Sequence, residues 1–286
     1  MKRWQVAYYI RIACIGFLVA WGANNGVFTR SFSCAAAEDS IVIYGDPGEP
    51  SAVHAQIVLL AASCAPDAVF IAGDLVENPD IPDHWTALLS ALAPLQLSAP
   101  VYPALGNHER NAPRFYELFQ LPRNERWYAV CLDNVEVIVL DSNAPLNADS
   151  EQYRWLQNHL AAPERILPFR IVVFHHALLT GGPNGNDEKG IGPFVIPLCK
   201  QYGVSMIFNG HNHLYERSVR DGIQYVVTGG GGSGLVEMVR DNPYLQRWKR
   251  AHHICHLRGG EEYIVMNALE LGGARIDEVR IERNPQ

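Results

Sequence analysis

The sequence is short of several things, and each shortage narrows the reading. Its six cysteines (Cys14, Cys34, Cys64, Cys131, Cys199 and Cys255) include no C-x-x-C pair, which argues against a structural zinc site made of thiolates. No internal repeat, low-complexity run or evident linker interrupts the chain, so its 286 residues read as one domain behind a short leader. The longest apolar run near the start, Ile12 to Trp21, is about ten residues, well below the roughly 20 that span a bilayer. Positive charge is scarce: 23 Lys and Arg stand against 30 Asp and Glu, a net charge of −7. Such a chain is a poor nonspecific partner for nucleic acid. If it handles phosphate, something other than lysine and arginine must supply the positive charge.

Lys2, Arg3 and Arg11 border the apolar run, and small residues follow it, ending in Ala35-Ala36-Ala37. This is the pattern of an export signal cut after Ala37, with an uncleaved N-terminal anchor as the alternative. The expectation is residues 1–37 as export signal or anchor and residues 38–286 as the folded domain. The protein would be secreted or periplasmic, touching a membrane only through an uncleaved leader. Removing 1–37 takes away Lys2, Arg3, Arg11 and Arg30, leaving 19 basic and 30 acidic residues, or −11. Export would permit disulfides among the last four cysteines, without saying which would pair.

Buried strands are expected at Ile41 to Tyr44, Ala68 to Ala72, Val101 to Leu105, "RIVVF" (170–174) and "VSMIF" (204–208). Helices are expected at 51–64, capped by Ser51, at 83–93, at 151–160, capped by Ser150, and at 193–202. "WYAVCL" and "VEVIVL" flank Asp133-Asn134, a two-residue hairpin signal. "IQYVVT" and the C-terminal "EEYIVMNALEL" and "ARIDEVRIE" read as further strands. Strands alternating with helices favour a layered α/β fold, whose sites form at the carboxyl ends of strands.

Polar clusters sit at those ends. Asp46 follows the first strand, Asp74 the second, and Asn107 and His108 the third. His175 and His176 follow "RIVVF", and His211 and His213 follow "VSMIF". Each motif alone is weak, because Gly-Asp and Gly-Asn-His are ordinary turn sequences. Five strand ends in order, each carrying oxygen or nitrogen donors, form a stronger pattern. Carboxylates with imidazoles suit iron, manganese, zinc or cobalt rather than a calcium cage. The donors outnumber what one ion needs, so two ions sharing a carboxylate are the economical reading. Such a pair activates water and clamps an in-line displacement at phosphorus.

The series "GDPG", "GDLVEN", "GNHE", "VVFHH" and "GHNH" resembles the five blocks of the calcineurin-like metallophosphoesterase superfamily. "GNHE" and "GHNHLYERS" are most similar to its purple acid phosphatase branch, in the short, single-domain form. The resemblance covers nearly all of 40–282. It implies an α/β fold, a four-layer αββα sandwich with two mixed β-sheets, and phosphate-ester hydrolysis by in-line attack of a metal-bound hydroxide. It implies two divalent or trivalent ions, iron with zinc or manganese, and a small phosphate-ester substrate. Asp46 and His213 would bind the first metal, Asp74 would bridge, and Asn107, His175 and His211 would bind the second. His108 would face the substrate, steadying the phosphoryl oxygens or protonating the leaving group, and His176 would contact the substrate or line the cleft.

Two departures stand out. Gly48 holds the place of the first block's usual histidine. Glu77 holds the place of the tyrosine of purple acid phosphatases, so the protein should not be purple, and Glu77 or water would complete the first metal's shell. The resemblance leaves two alternatives: a catalytically impaired phosphate-binding or regulatory module on the same fold, or a dinuclear phosphodiesterase or nuclease. The other histidines read as packing or surface residues. Of these, His252, His253 and His256 are expected far from the strand-end series. The loop at 180–190 reads equally as a substrate loop or a plain surface turn.

Overall fold

Alternating aliphatic runs become strands buried on both faces, and this sets the architecture. The computed structural model describes residues 38–162 and 167–283. The export-signal reading, Cys14 and Cys34 therefore lie outside the described residues.

Strands β1 (Asp39–Tyr44), β2 (Ala68–Ile71) and β3 (Val101–Pro103) run parallel, joined through helices α1 (Ala52–Ser63) and α2 (Pro82–Gln96). A short helix α3 (Pro113–Leu118) leads to the hairpin β4 (Tyr128–Cys131) and β5 (Val135–Val139), which pairs Tyr128 with Val139 as the Asp133-Asn134 turn requires. Helix α4 (Glu151–Ala161), β6 (Phe169–Val173), α5 (Gly192–Gln201) and β7 (Val204–Asn209) follow. Then come β8 (Tyr215–Arg220), β9 (Ile223–Thr228), β10 (Leu245–Lys249), β11 (His253–Gly259), β12 (Tyr263–Glu270) and β13 (Arg275–Glu282). The first sheet has the order β13-β12-β11-β1-β2-β3, and the second β10-β8-β9-β7-β6-β5-β4. Both are mixed, and with the flanking helices they make the expected α/β sandwich.

The period of two in a strand explains the layering. In β5 to β7, Val137, Val139, Ile171, Val173, Met206 and Phe208 share one core with the first sheet. The intervening Ile138, Val172 and Ile207 turn the other way and pack on Leu156 and Leu160 of α4 and Val195 and Leu198 of α5. On the opposite side Ile57, Val58, Leu88 and Leu92 bring α1 and α2 onto the first sheet. Both expected caps form: the Ser51 hydroxyl accepts from the His54 N–H at 3.1 Å, and the Ser150 hydroxyl from the Tyr153 N–H at 3.1 Å.

Three strands were not expected. β8 grows from the segment read only as a motif, β10 from one given no element, and β11 from the stretch read as a histidine cluster. Strand β11 pairs antiparallel with β1, Ile43 opposite Cys255. Its first residues therefore meet the end of β1, which corrects the expectation that His252 and His253 lie far away. The His253 N–H donates to the Gly230 carbonyl at 3.2 Å, and the Gly231 N–H to the Gly45 carbonyl at 2.8 Å, one residue from Asp46. His54, His159 and His253 are buried packing residues, bonded to the Tyr44 hydroxyl, the Glu136 carboxylate and the Thr228 hydroxyl. Among the described cysteines, Cys64, Cys199 and Cys255 are free thiols.

Candidate metal centre

Parallel β1 to β3 and parallel β5, β6, β7 and β9 present their carboxyl ends at one edge, and the loops there tie the sheets together. The Gly45 N–H donates to the Thr228 carbonyl at 2.8 Å and the Asp46 N–H to the Gly73 carbonyl at 3.0 Å. Three donor-bearing residues turn the chain in the left-handed region: Asp46 at φ 61°, Asp74 at φ 53° and His211 at φ 70°. That conformation costs a non-glycine residue roughly 1–2 kcal/mol, so the surrounding packing imposes it. At Gly106 and Gly210 the approach leaves no room for a side chain: a Cβ would strike the Asp74 and Asp46 carboxylates respectively.

The donors meet in two groups around the carboxylates. In one, His175 Nε2 lies 2.9 Å from Asn107 Oδ1, 3.1 Å from His211 Nδ1 and 3.1 Å from Asp74 Oδ2. In the other, Asp46 accepts the His211 backbone N–H at 3.0 Å, and His213 Nε2 stands 3.5 Å from Asp46 Oδ1. His175 Nδ1 donates to the Ala72 carbonyl at 2.9 Å, so in the neutral ring Nε2 is a lone-pair donor. His213 Nδ1 is likewise held by the Gly234 carbonyl at 2.8 Å.

Acceptor atoms thus converge with few protons between them, in a site where Asp46 and Asp74 are buried. Such a cluster requires a cation. Without a metal, a proton plays that part. Burial opposes charge on His175, but Asp74 and then Asp46 outweigh it and lift the ring to about 10. Burial would likewise raise Asp74, yet His175 beside it holds the carboxyl well below its usual range. Asp46, Asp74 and His175 bring ligand atoms within 4.8 Å of one another, as do His175, His176 and His211. Oxygen and imidazole donors in this number fit the class of metal ion expected from the sequence.

His108 stands at the rim. Its backbone N–H donates to Asp74 Oδ1 at 2.9 Å, Nδ1 faces the Glu77 carbonyl at 2.9 Å, and Nε2 lies 3.8 Å from Asp74 Oδ2. Burial pulls its pKa down, but the Glu77 carbonyl and Asp74 prevail and raise it. A groove of about 510 Å³ opens here, lined by Asn107, His108, Glu77, Glu49 and Arg110 among others.

Residues 40–215 match the model of the calcineurin-like phosphoesterase family. The chain belongs to that family. It is 25% identical over 276 residues to "Probable inactive purple acid phosphatase 24" of Arabidopsis thaliana, across 75% of this chain and 44% of the relative. It is 27% identical over 196 residues to "Purple acid phosphatase 18" of the same plant, across 59% of this chain and 45% of that one. It therefore spans less than half the length of either. The purple acid phosphatase PPD1 from yellow lupin (Lupinus luteus) seeds superposes with a TM-score of 0.79 at 19% identity, over 87% of this chain and 54% of that one, which shows the shared fold.

In this member of the calcineurin-like phosphoesterase family two residues named for the site have surroundings unlike those of the other donors. The Glu77 side chain is 46% exposed and lies 3.4 Å from His108 Nδ1, on the groove side. His176 is buried, with Nδ1 2.7 Å from the Ser142 hydroxyl. Burial, then His175 and His211, push its pKa down to about 2. It therefore sits as a buried neutral ring packed against His175 and His211.

Two carboxylates went unread in the sequence. Glu109 is fully buried and accepts the backbone N–H groups of Gly106 at 2.6 Å, Asp74 at 3.1 Å and Val76 at 3.3 Å, so it staples the loops after β2 and β3. Burial and then Asp74 lift its pKa to about 7. Its place in "GNHE", an acid directly after the histidine, was the available signal. Glu188 has none: only the folded loop carries its Oε1 to 3.2 Å from His211 Nε2 and 3.4 Å from His176 Nε2.

Proposed function

We propose that this chain is a dinuclear, metal-dependent phosphoesterase acting on small phosphate esters. The observation that carries the reading is the convergence of Asn107 Oδ1, His175 Nε2 and His211 Nδ1 beside Asp74, with Asp46 and His213 on the other flank. Asp46 and His213 would hold the first ion, Asp74 would lie between the two, and Asn107, His175 and His211 would hold the second. Iron with zinc or manganese suits these donors. When bound, two ions supply the positive charge that lysine and arginine do not, and they lower the pKa of water.

The chain's own residues do the rest. The Glu77 carbonyl fixes the His108 ring, so its other nitrogen faces Asp74 and the groove. A histidine with a raised pKa in that position is suited to protonate a departing alkoxide. The groove beyond it has space for the leaving group. Secretion would agree with the leader; among the described residues no helix is long and apolar enough to cross a membrane.

The test is elemental analysis combined with aryl phosphate monoester and diester assays, on the wild type and on Asp74→Asn. Two ions per chain with turnover, and a loss of roughly 10³-fold or more in the variant, is the expected outcome. Equal hydrolysis by the metal-analysed variant would sink the reading. A second reading, a phosphate-binding module without turnover, draws on the sparse first position and on a relative named inactive. It predicts one ion or none, with phosphate bound and not released from esters.

A further inference from the structure

We propose that Glu188 is a positioning residue for the second metal: its carboxylate takes the outer N–H of His211 and thereby keeps His211 Nδ1 turned toward the ion. The inference rests on the metal-dependent reading above and extends it to a loop that the reading does not use.

Each donor imidazole has an inner and an outer nitrogen. The outer nitrogens of His175 and His213 meet backbone carbonyls, those of Ala72 and Gly234. A carbonyl only accepts, so these tautomers are set by the fold itself. His211 is turned the other way round. Its Nδ1 faces inward, 3.1 Å from His175 Nε2, and its Nε2 faces outward, 3.2 Å from Glu188 Oε1. Here the outer partner is a charged side chain on the loop at 180–190. A carboxylate behind an imidazole fixes its tautomer and makes it a stronger ligand.

A second observation points at the same oxygen. His176 Nε2 is buried without a hydrogen-bond partner among the described residues, and it lies 3.4 Å from Glu188 Oε1. One carboxylate thus faces two imidazoles, one of them a donor to the metal position.

The loop is seated well enough to hold it there. Asn184 Nδ2 donates to the His211 carbonyl at 2.8 Å, and the Thr180 hydroxyl to Glu216 at 2.8 Å. On the other side of Glu188's neighbour, Asp187 Oδ1 accepts the N–H groups of Ile191 and Gly192 at 2.8 and 2.9 Å, at the start of α5. The loop is therefore part of the centre's scaffold rather than a plain surface turn.

The experiment is a zinc titration of the metal-free full-length protein against a competing chelator, for the wild type, Glu188→Gln and Glu188→Ala, with the melting temperature of each metal-free form. The expected result is a loss of roughly 10–100-fold in affinity at one of two binding steps in Glu188→Ala, with a smaller loss in Glu188→Gln, which keeps an acceptor. The other step and the metal-free melting temperature should not move. Two zinc affinities within about twofold of wild type in Glu188→Ala would overturn the proposal while leaving the metal-dependent reading intact. A melting temperature lowered with both affinities unchanged would overturn it too, in favour of a purely structural loop contact. Failure of the wild type to bind zinc, iron or manganese would overturn the underlying reading, and this proposal with it.

Discussion

The flank of the centre around Asn107, His175 and His211 and the flank around Asp46 and His213 differ in how closely their donors converge and how far they are exposed. In the first, three donors approach within 2.9–3.1 Å of His175 Nε2, and the rings are backed by Ala72 and Glu188. In the second, His213 Nε2 is 3.5 Å from Asp46 and its side chain is 27% exposed. Gly48 offers no side chain, the space beside it is taken by the Ser233 hydroxyl, and Glu77 turns to His108. If the centre takes two ions as proposed, it would hold them by unequal means. A position crowded with preset donors should keep its metal, and one finished by water should exchange it.

Two changes would break or sharpen this contrast, the larger first. Asn107→Ala, on the crowded flank, should weaken one zinc-binding step by about 100-fold or more, read by chelator competition. Glu77→Gln, on the sparse flank, should leave both steps within about fivefold, because an exposed ion pair is worth under about 1 kcal/mol. If Glu77→Gln instead released an ion, Glu77 would be a ligand after all and the flanks would be more alike than they look.

Glu109→Ala tests whether the scaffold shared by both flanks is separable from the donors. It strips the acceptor from three buried N–H groups. A loss of roughly 3 kcal/mol in urea unfolding of the metal-free protein is expected. A loss below about 1 kcal/mol would mean that water replaces the carboxylate without penalty.

The last prediction concerns a buried histidine of α1. Burial pushes the His54 ring down to about 4. The unfolded chain, with its histidine near 6.5, then binds protons more readily than the folded one across that interval. Stability is level above pH 6.5 and falls as pH drops toward 4, by roughly 3 kcal/mol at most from this residue. His54→Gln should flatten that limb of the urea midpoint against pH, and an unchanged slope would show that other groups govern it.

Much of the candidate donor set could be read without coordinates, because the donors lie within a few residues of the end of an aliphatic strand and strand ends are a local property. The caps at Ser51 and Ser150 and the turn at Asp133-Asn134 were legible for the same reason. Glu188 was not, since its partner depends on how a loop of glycines and polar residues folds back over β7. The place of His252 and His253 was misread because no local pattern announces that β11 pairs with β1. The export segment remains an expectation from residues 1–37 alone.

The sequence by itself determined the order and type of the donors, since alternation and turn chemistry act over a few neighbouring residues. Only the tertiary structure decided which donor atoms stand side by side and which groups stand behind them. The His211 N–H that meets Asp46 spans 165 residues of chain. That contact exists because two sheets, each held by its own buried faces, bring their strand ends to one edge.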